Sequence, residues 1–165
     1  FTPVDISDLL TEISRESMRV PDIKISSHIA NQVQAMGSRL DLSRVINNLI
    51  ENARRYGKTP GKDLAEIDIT CKIEENKSVI EIADHGKGIP ESEIEHLLRP
   101  FTRLDTARGQ ANGSGLGLAI VNRIIKRHGG NLRLHNRNGG GLVVQIVLNS
   151  IRKPQAIPTT TALDR

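Results

Sequence analysis

Between positions 41 and 56, apolar residues recur at Leu42, Val45, Ile46, Leu49, Ile50 and Ala53, the spacing of an α-helix buried along one face. Such a helix needs an apolar surface to lie on, and the chain supplies one downstream. Residues 66–74 and 78–83 alternate apolar with polar side chains across a turn at 75–77 and read as a β-hairpin. Ile67, Ile69, Cys71 and Ile73 share one face there, so Cys71 reads as a small core residue. A second amphipathic helix is predicted over 115–128, with Leu118, Val121, Ile124 and Ile125 inward and Gly129-Gly130 as its stop. Strands at 131–135 and 142–148 bracket a turn holding Gly139, Gly140 and Gly141.

The remaining segments are shorter. Asp5 or Ser7 can cap a helix to about residue 19 with Ile6, Leu9, Leu10 and Ile13 on one face, and Asp41 is the expected N-cap of the central helix. Extended pieces are expected near 23–25 and 32–35, and a short helix over 90–98. Helices and mostly antiparallel strands in this order predict an α/β (α+β) two-layer sandwich, a mixed sheet with helices packed on one face. Residues 1–150 read as one domain excised from a larger protein, and 151–165, bearing Pro and Thr with little apolar patterning, as a flexible tail.

Composition narrows the function. The 165 residues carry a formal charge of +4, but aromatics are 2% of the chain and the basic residues are interspersed with acidic ones, which disfavours nucleic acid. An anionic small ligand needs only a local patch. No apolar run is long enough to cross a bilayer and no secretory signal leads the chain. The single cysteine excludes an internal disulfide, no His or Cys cluster has zinc-ligand spacing, and a reducing cytoplasm is the expected compartment.

Three separated segments carry the chemistry. On the central helix Asn48 and Asn52 are one turn apart and project from the same side, flanked by Arg55 and Tyr56. An asparagine carbonyl oxygen is a suitable Mg²⁺ ligand when phosphates supply the charge; Arg55 suits a phosphate, and Tyr56 a purine face. Taken alone, this segment reads as a solvated helix face with a core-edge aromatic. Asp84 ends a strand and enters a turn where Gly86 and Gly88 permit close backbone approach, so its carboxylate can accept a hydrogen bond from an exocyclic amine, as on adenine. Without further acids at alternating positions a calcium loop is excluded. Gly113, Gly115 and Gly117 stand where a helix begins, and its free N–H groups and positive end can receive phosphate. Their spacing is not that of a dinucleotide fingerprint, and 57–63 is one residue short of a P-loop and ends in Asp.

With Pro100-Phe101-Thr102-Arg103 between the second and third, these segments resemble the N, G1, F and G2 boxes of the histidine-kinase catalytic domain, a nucleotide fold shared with gyrase, Hsp90 and MutL. The similarity covers about residues 2–148, and the stretches 52–57 and 114–121 resemble osmosensor kinases of the EnvZ type. The resemblance implies that Asn52 ligates Mg²⁺ with support from Asn48 and that Arg55 contacts phosphate. It implies that Asp84 holds the adenine amine in a pocket formed with Gly86, Gly88, Ile89 and Tyr56. Gly113, Ser114, Gly115, Leu116, Gly117 and Leu118 would bind the nucleotide at the helix start and hinge a lid over 104–112, with Arg103 and Arg108 offsetting charge on the transferring phosphoryl group. Hydrolytic relatives carry Glu where this chain has Asn48, which cannot serve as a base toward water.

The implied activity is transfer of the γ-phosphoryl of Mg-ATP to a histidine on a separate dimerisation domain, then to a response regulator. The full-length protein is expected to be a homodimer in the bacterial inner membrane, with this segment at the cytoplasmic face. A nucleotide-sensing or partner-docking module of the same fold is the alternative. Leu142 and Val143 stand where many relatives have Thr or Ser near the adenine. His96 lacks the acidic neighbour of a phosphoacceptor and reads as a surface or packing residue; His85, inside the pocket turn, is the histidine of interest.

Overall fold

The computed structural model describes residues 1–99 and 114–151, the side chains of 114–116 excepted. The expected lid, Arg103, Arg108, Gly113 and the tail beyond 151 lie outside the described residues. The elements run β1 (Thr2–Asp5), α1 (Ile6–Ser17), β2 (Ile23–Ile29), β3 (Gln34–Gly37), α2 (Arg39–Tyr56), β4 (Ala65–Glu74), β5 (Lys77–Asp84), α3 (Glu91–Leu98), α4 (Ser114–Arg127), β6 (Asn131–Asn136) and β7 (Leu142–Asn149).

Five strands form the main sheet in the order β2-β4-β5-β7-β6, with β2 parallel to β4 and every other pair antiparallel. The hairpin β4-β5 turns through Glu75 and Asn76, both at positive φ (50° and 66°), the geometry that matches strand twist in a two-residue turn. Strand parity then sorts the faces. Ile67, Ile69 and Cys71 on β4 register with Asp84, Ile82 and Ile80 on β5, and Ile82 and Ile80 in turn with Val144 and Ile146 on β7. That face is covered by the helices, and its residues are buried together with Leu42, Val45, Ile46, Leu49 and Ile50 of α2 and Leu118, Val121 and Ile125 of α4. The Cys71 thiol, withdrawn from water in this layer, is pushed up to about 12. The other face carries Asp68, Thr70, Glu81 and Gln145, and Gln145 donates to Glu81 at 2.8 Å.

The expected two-layer sandwich is therefore borne out, with three local differences. Asp41 is not the cap of α2: Ser38 is, its Oγ accepting from the Asp41 N–H at 3.1 Å, so the helix starts earlier and Asp41 instead pairs with Arg127 of α4. Strand β2 is longer than its apolar signal because an edge strand exposes most of its side chains. Residues 2–5 form a strand that pairs antiparallel with β3, which local patterning over four residues did not reveal. Asp5 does cap α1, accepting from Asp8 N–H at 2.9 Å, while Ser7 bridges Ala30 O and Val33 N–H. His128 is also structural: Nε2 accepts from Ser38 N–H, Nδ1 lies 2.8 Å from Ile124 O, and Phe1 stacks on its ring.

Ile46→Ala, which empties a fully buried site between α2 and the sheet, is expected to lower unfolding free energy by roughly 2–5 kcal/mol. Ser38→Ala should cost about 1 kcal/mol through the lost cap, both read from urea denaturation midpoints with an unchanged slope.

Candidate nucleotide-binding site

Parity on β5 decides where the acid points. Ile80, Ile82 and Asp84 share the helix-facing side, so the strand carries a carboxylate into the same layer as the apolar core, at its open end. There a cleft partly open to solvent is lined by Leu49, Asn52, Ala53 and Tyr56 of α2, with Ile82, Asp84, Ile89, Leu97, Leu118 and Val144 around it. The cleft is mostly apolar, with the polar groups of Asn52, Tyr56 and Asp84 converging on it, the composition of a small-ligand site.

Asp84 is 8% exposed. Its Oδ1 accepts from Gly86 N–H at 2.9 Å and Leu142 N–H at 3.1 Å, while Oδ2 has no protein donor among the described residues. Burial pushes this carboxyl above its ordinary value, against the opposing pull of the two backbone donors. The crowding around it explains its glycines. A Cβ on Gly57, just past α2, would stand 2.5 Å from the carboxylate, and one on Gly141 would overlap the Asp84 carbonyl at a φ of +113°. Gly86 packs on the Gly57 backbone, and Gly88, at φ +77°, on the Asn136 side chain. Asn136 locks the turn: its Oδ1 accepts from Ile89 N–H at 2.9 Å and its Nδ2 donates to Ile89 O at 2.7 Å.

Of the residues singled out in the sequence, Asn52, Tyr56, Asp84, Ile89 and Leu118 meet in this one cleft, with Gly86 and Gly88 shaping its turn. Asn48 sits one turn from Asn52 and accepts from its Nδ2 at 3.2 Å, which leaves the Asn52 carbonyl oxygen available. Gly117 packs against Asn48, where a Cβ would come within 2.9 Å of Oδ1, so the first turn of α4, with Ser114, Gly115 and Leu116, is held beside the asparagine pair. Arg55 is exposed outside the cleft lining, its guanidinium 5.5 Å from the Tyr56 ring centroid. Leu142 contributes its backbone N–H to Asp84 rather than a hydroxyl, and Val144 lines the cleft. Sequence reasoning missed Gly57, Asn136 and the Leu142 N–H. Leu142 stands out in the sequence only for lacking a hydroxyl, and Gly57 only as the end of the stretch 52–57.

Residues 37–151 match the family described as Histidine kinase-, DNA gyrase B-, and HSP90-like ATPase. The chain belongs to this family of ATP-binding domains. It is 35% identical over 113 residues to the sensor protein CutS of Streptomyces coelicolor, covering 68% of this chain and 27% of that one. The chain thus spans about a quarter of this curated relative. Among solved structures, the mycobacterial sensor histidine kinase MprB superposes with a TM-score of 0.72 at 28% identity, over 92% of this chain and 98% of that one. The histidine kinase domain of the E. coli osmosensor EnvZ does so at 0.67 and 30%, over 98% and 95%. The resemblance read from the four boxes is borne out at the level of the family.

A raised carboxyl costs the folded state at neutral pH. The fold binds more protons than the unfolded chain from the ordinary value of 3.8 upward, so stability falls as pH rises through that window and the cost is complete above it. Asp84→Asn keeps an Oδ1 for both backbone donors and removes the charge. Its thermal midpoint is expected at or above wild type at neutral pH, the advantage vanishing below the ordinary value; a variant melting well below wild type at neutral pH would contradict this.

Proposed function

We propose that this chain binds Mg-ATP and presents the γ-phosphoryl group to a histidine on a separate dimerisation domain of a longer sensor kinase, which then serves a response regulator. The observation that carries the reading is the divided role of Asp84 at the cleft: one oxygen is satisfied by backbone, and the other has no protein donor among the described residues. An exocyclic amine supplies that donor, so the cleft selects adenine over bases lacking one. Tyr56 and Ile89 give the purine apolar walls, and Leu118 closes the inner end.

The residues present also fit a nucleotide-borne metal. Among the described residues no three His, Cys, Asp or Glu side chains gather to hold a cation alone, whereas Asn52 retains a neutral carbonyl oxygen oriented by Asn48. Such a donor set would suit Mg²⁺ that arrives with phosphates, where the ion would supply charge neutralisation. On this reading Asn52 and Asn48 orient the ligand, Arg55 contacts phosphate, and Gly113, Gly115 and Gly117 offer backbone N–H groups at the start of α4. Arg103 and Arg108 then offset charge on the phosphoryl group in flight. Asn48 cannot deprotonate water, which favours transfer over hydrolysis.

The histidines with described partners are poor acceptors, since His128 is buried with both ring nitrogens engaged and His85 is held between Asp68 and Arg137. A partner domain supplies the acceptor, and on this reading the whole protein is a homodimer at the inner membrane with this domain in the cytoplasm. Among the described residues no helix is long and apolar enough to cross a membrane.

Calorimetric titration with a non-hydrolysable ATP analogue should show Mg²⁺-sensitive binding that Asp84→Asn abolishes and Asn52→Asp alters in its metal dependence. Wild type should also label a separately supplied dimerisation domain from γ-labelled ATP. Binding without labelling would favour a nucleotide-sensing or docking role, and a folded chain that binds no nucleotide would reject both.

A further inference from the structure

Directly behind the cleft, on the opposite face of the sheet, a second polar cluster holds the same turn. Because Asp84 points toward the helices, His85 emerges on the outer side, over Asp68 of β4. Its Nε2 lies 2.9 Å from Asp68 Oδ2 and its Nδ1 2.6 Å from Arg137 Nη2. A guanidinium only donates, so Nδ1 is the acceptor, and the proton on the ring sits at Nε2, directed at Asp68. The arrangement fixes one tautomer of a neutral imidazole.

Arg137 continues the chain into the glycine turn between β6 and β7. Its Nε donates to Gly140 O at 3.1 Å, its backbone N–H to Gly141 O at 2.7 Å, and its carbonyl accepts from Gly140 N–H at 3.1 Å. The next residue after that turn is Leu142, whose N–H holds Asp84 Oδ1. Asp68, His85 and Arg137 therefore brace, from the rear, both turns that meet at the cleft carboxylate.

We infer that Asp68, His85 and Arg137 are positioning residues for nucleotide recognition: they hold the Asp84 turn against the glycine turn, and they do so only while His85 is neutral. This rests on the reading that Asp84 receives the nucleotide. A proton added at Nδ1 would face Arg137 Nη2 with like charge and no acceptor, releasing Arg137 from the ring while Asp68 keeps it. Among the described residues, the charged groups around His85 include Asp68 and Glu66 from β4, Asp84 from its own strand and Arg137 from the glycine turn, and Glu66 is itself paired with Lys62 at 3.3 Å. Nucleotide affinity accordingly falls on acidification by way of His85, in addition to whatever Asp84 and the nucleotide phosphates contribute.

The test is calorimetric titration of the ATP analogue against wild type, His85→Gln, Arg137→Ala, Arg137→Lys and Asp84→Asn from about pH 8 to about pH 5, the range in which histidine changes charge. Glutamine offers a neutral acceptor and donor without a titrating proton. Protonation of the ligand is common to both proteins and cancels in their ratio. The affinity of wild type relative to His85→Gln should fall roughly three- to tenfold toward acid, the size of one lost hydrogen bond. Arg137→Ala should bind weaker by a similar factor at the alkaline end, and Arg137→Lys should recover part of the loss. A wild type to His85→Gln ratio that stays flat with pH, while Asp84→Asn abolishes binding, overturns the brace and leaves the nucleotide site standing. Retained binding in Asp84→Asn overturns the site itself and the brace with it. If Arg137→Ala does not fold, the ratio alone decides.

Discussion

A single carboxylate oxygen ties two turns together at the open edge of the core. Asp84 Oδ1 receives one N–H from its own turn and one from the start of β7, so the end of β5 and the beginning of its neighbour are tied at the open edge of the core. Burying that acid has a cost, visible in its raised proton affinity, and the two backbone donors offset only part of it. Both described donors go to Oδ1, so among the described residues Oδ2 has no protein partner at the cleft.

The surrounding backbone is shaped by the same carboxylate. Gly57, Gly86 and Gly141 lie within van der Waals reach of Asp84 or of one another, where no side chain fits. Asn136 stands in for a strand neighbour by bonding both backbone groups of Ile89, so the turn is rigid without belonging to the sheet. Rigid positioning of this kind lowers the ordering cost of binding. On the rear side the imidazole of His85 connects the sheet to the glycine turn, so the cleft is braced from both faces.

Much of the cleft is legible in the amino-acid sequence. Helical spacing brings Asn48 and Asn52 to one stripe, and strand alternation through Ile80 and Ile82 sends Asp84 to the helix-facing side. The order of the motifs was enough to point to the family. Local errors arose where the signal was short or polar: Ser38 rather than Asp41 caps α2, because both residues are acceptable caps and only the course of the chain chooses between them. Residues 2–5 gave no strand signal because their pairing with β3, rather than their own pattern, makes them a strand.

The sequence by itself determined which faces are apolar, where the helices and the hairpin lie, and that an acid and paired amides occupy the boundary between core and solvent. These follow from periodicity, which is local and repeats within each element. Tertiary structure alone decided that β2 runs parallel beside β4, that Leu142 N–H reaches Asp84 from 58 positions away, that Asn136 holds Ile89 and that His85 meets both Asp68 and Arg137. Those contacts join residues whose separation along the chain carries no information about distance; they exist because packing one core brings strand ends and turns together, and only then does each polar group find its partner.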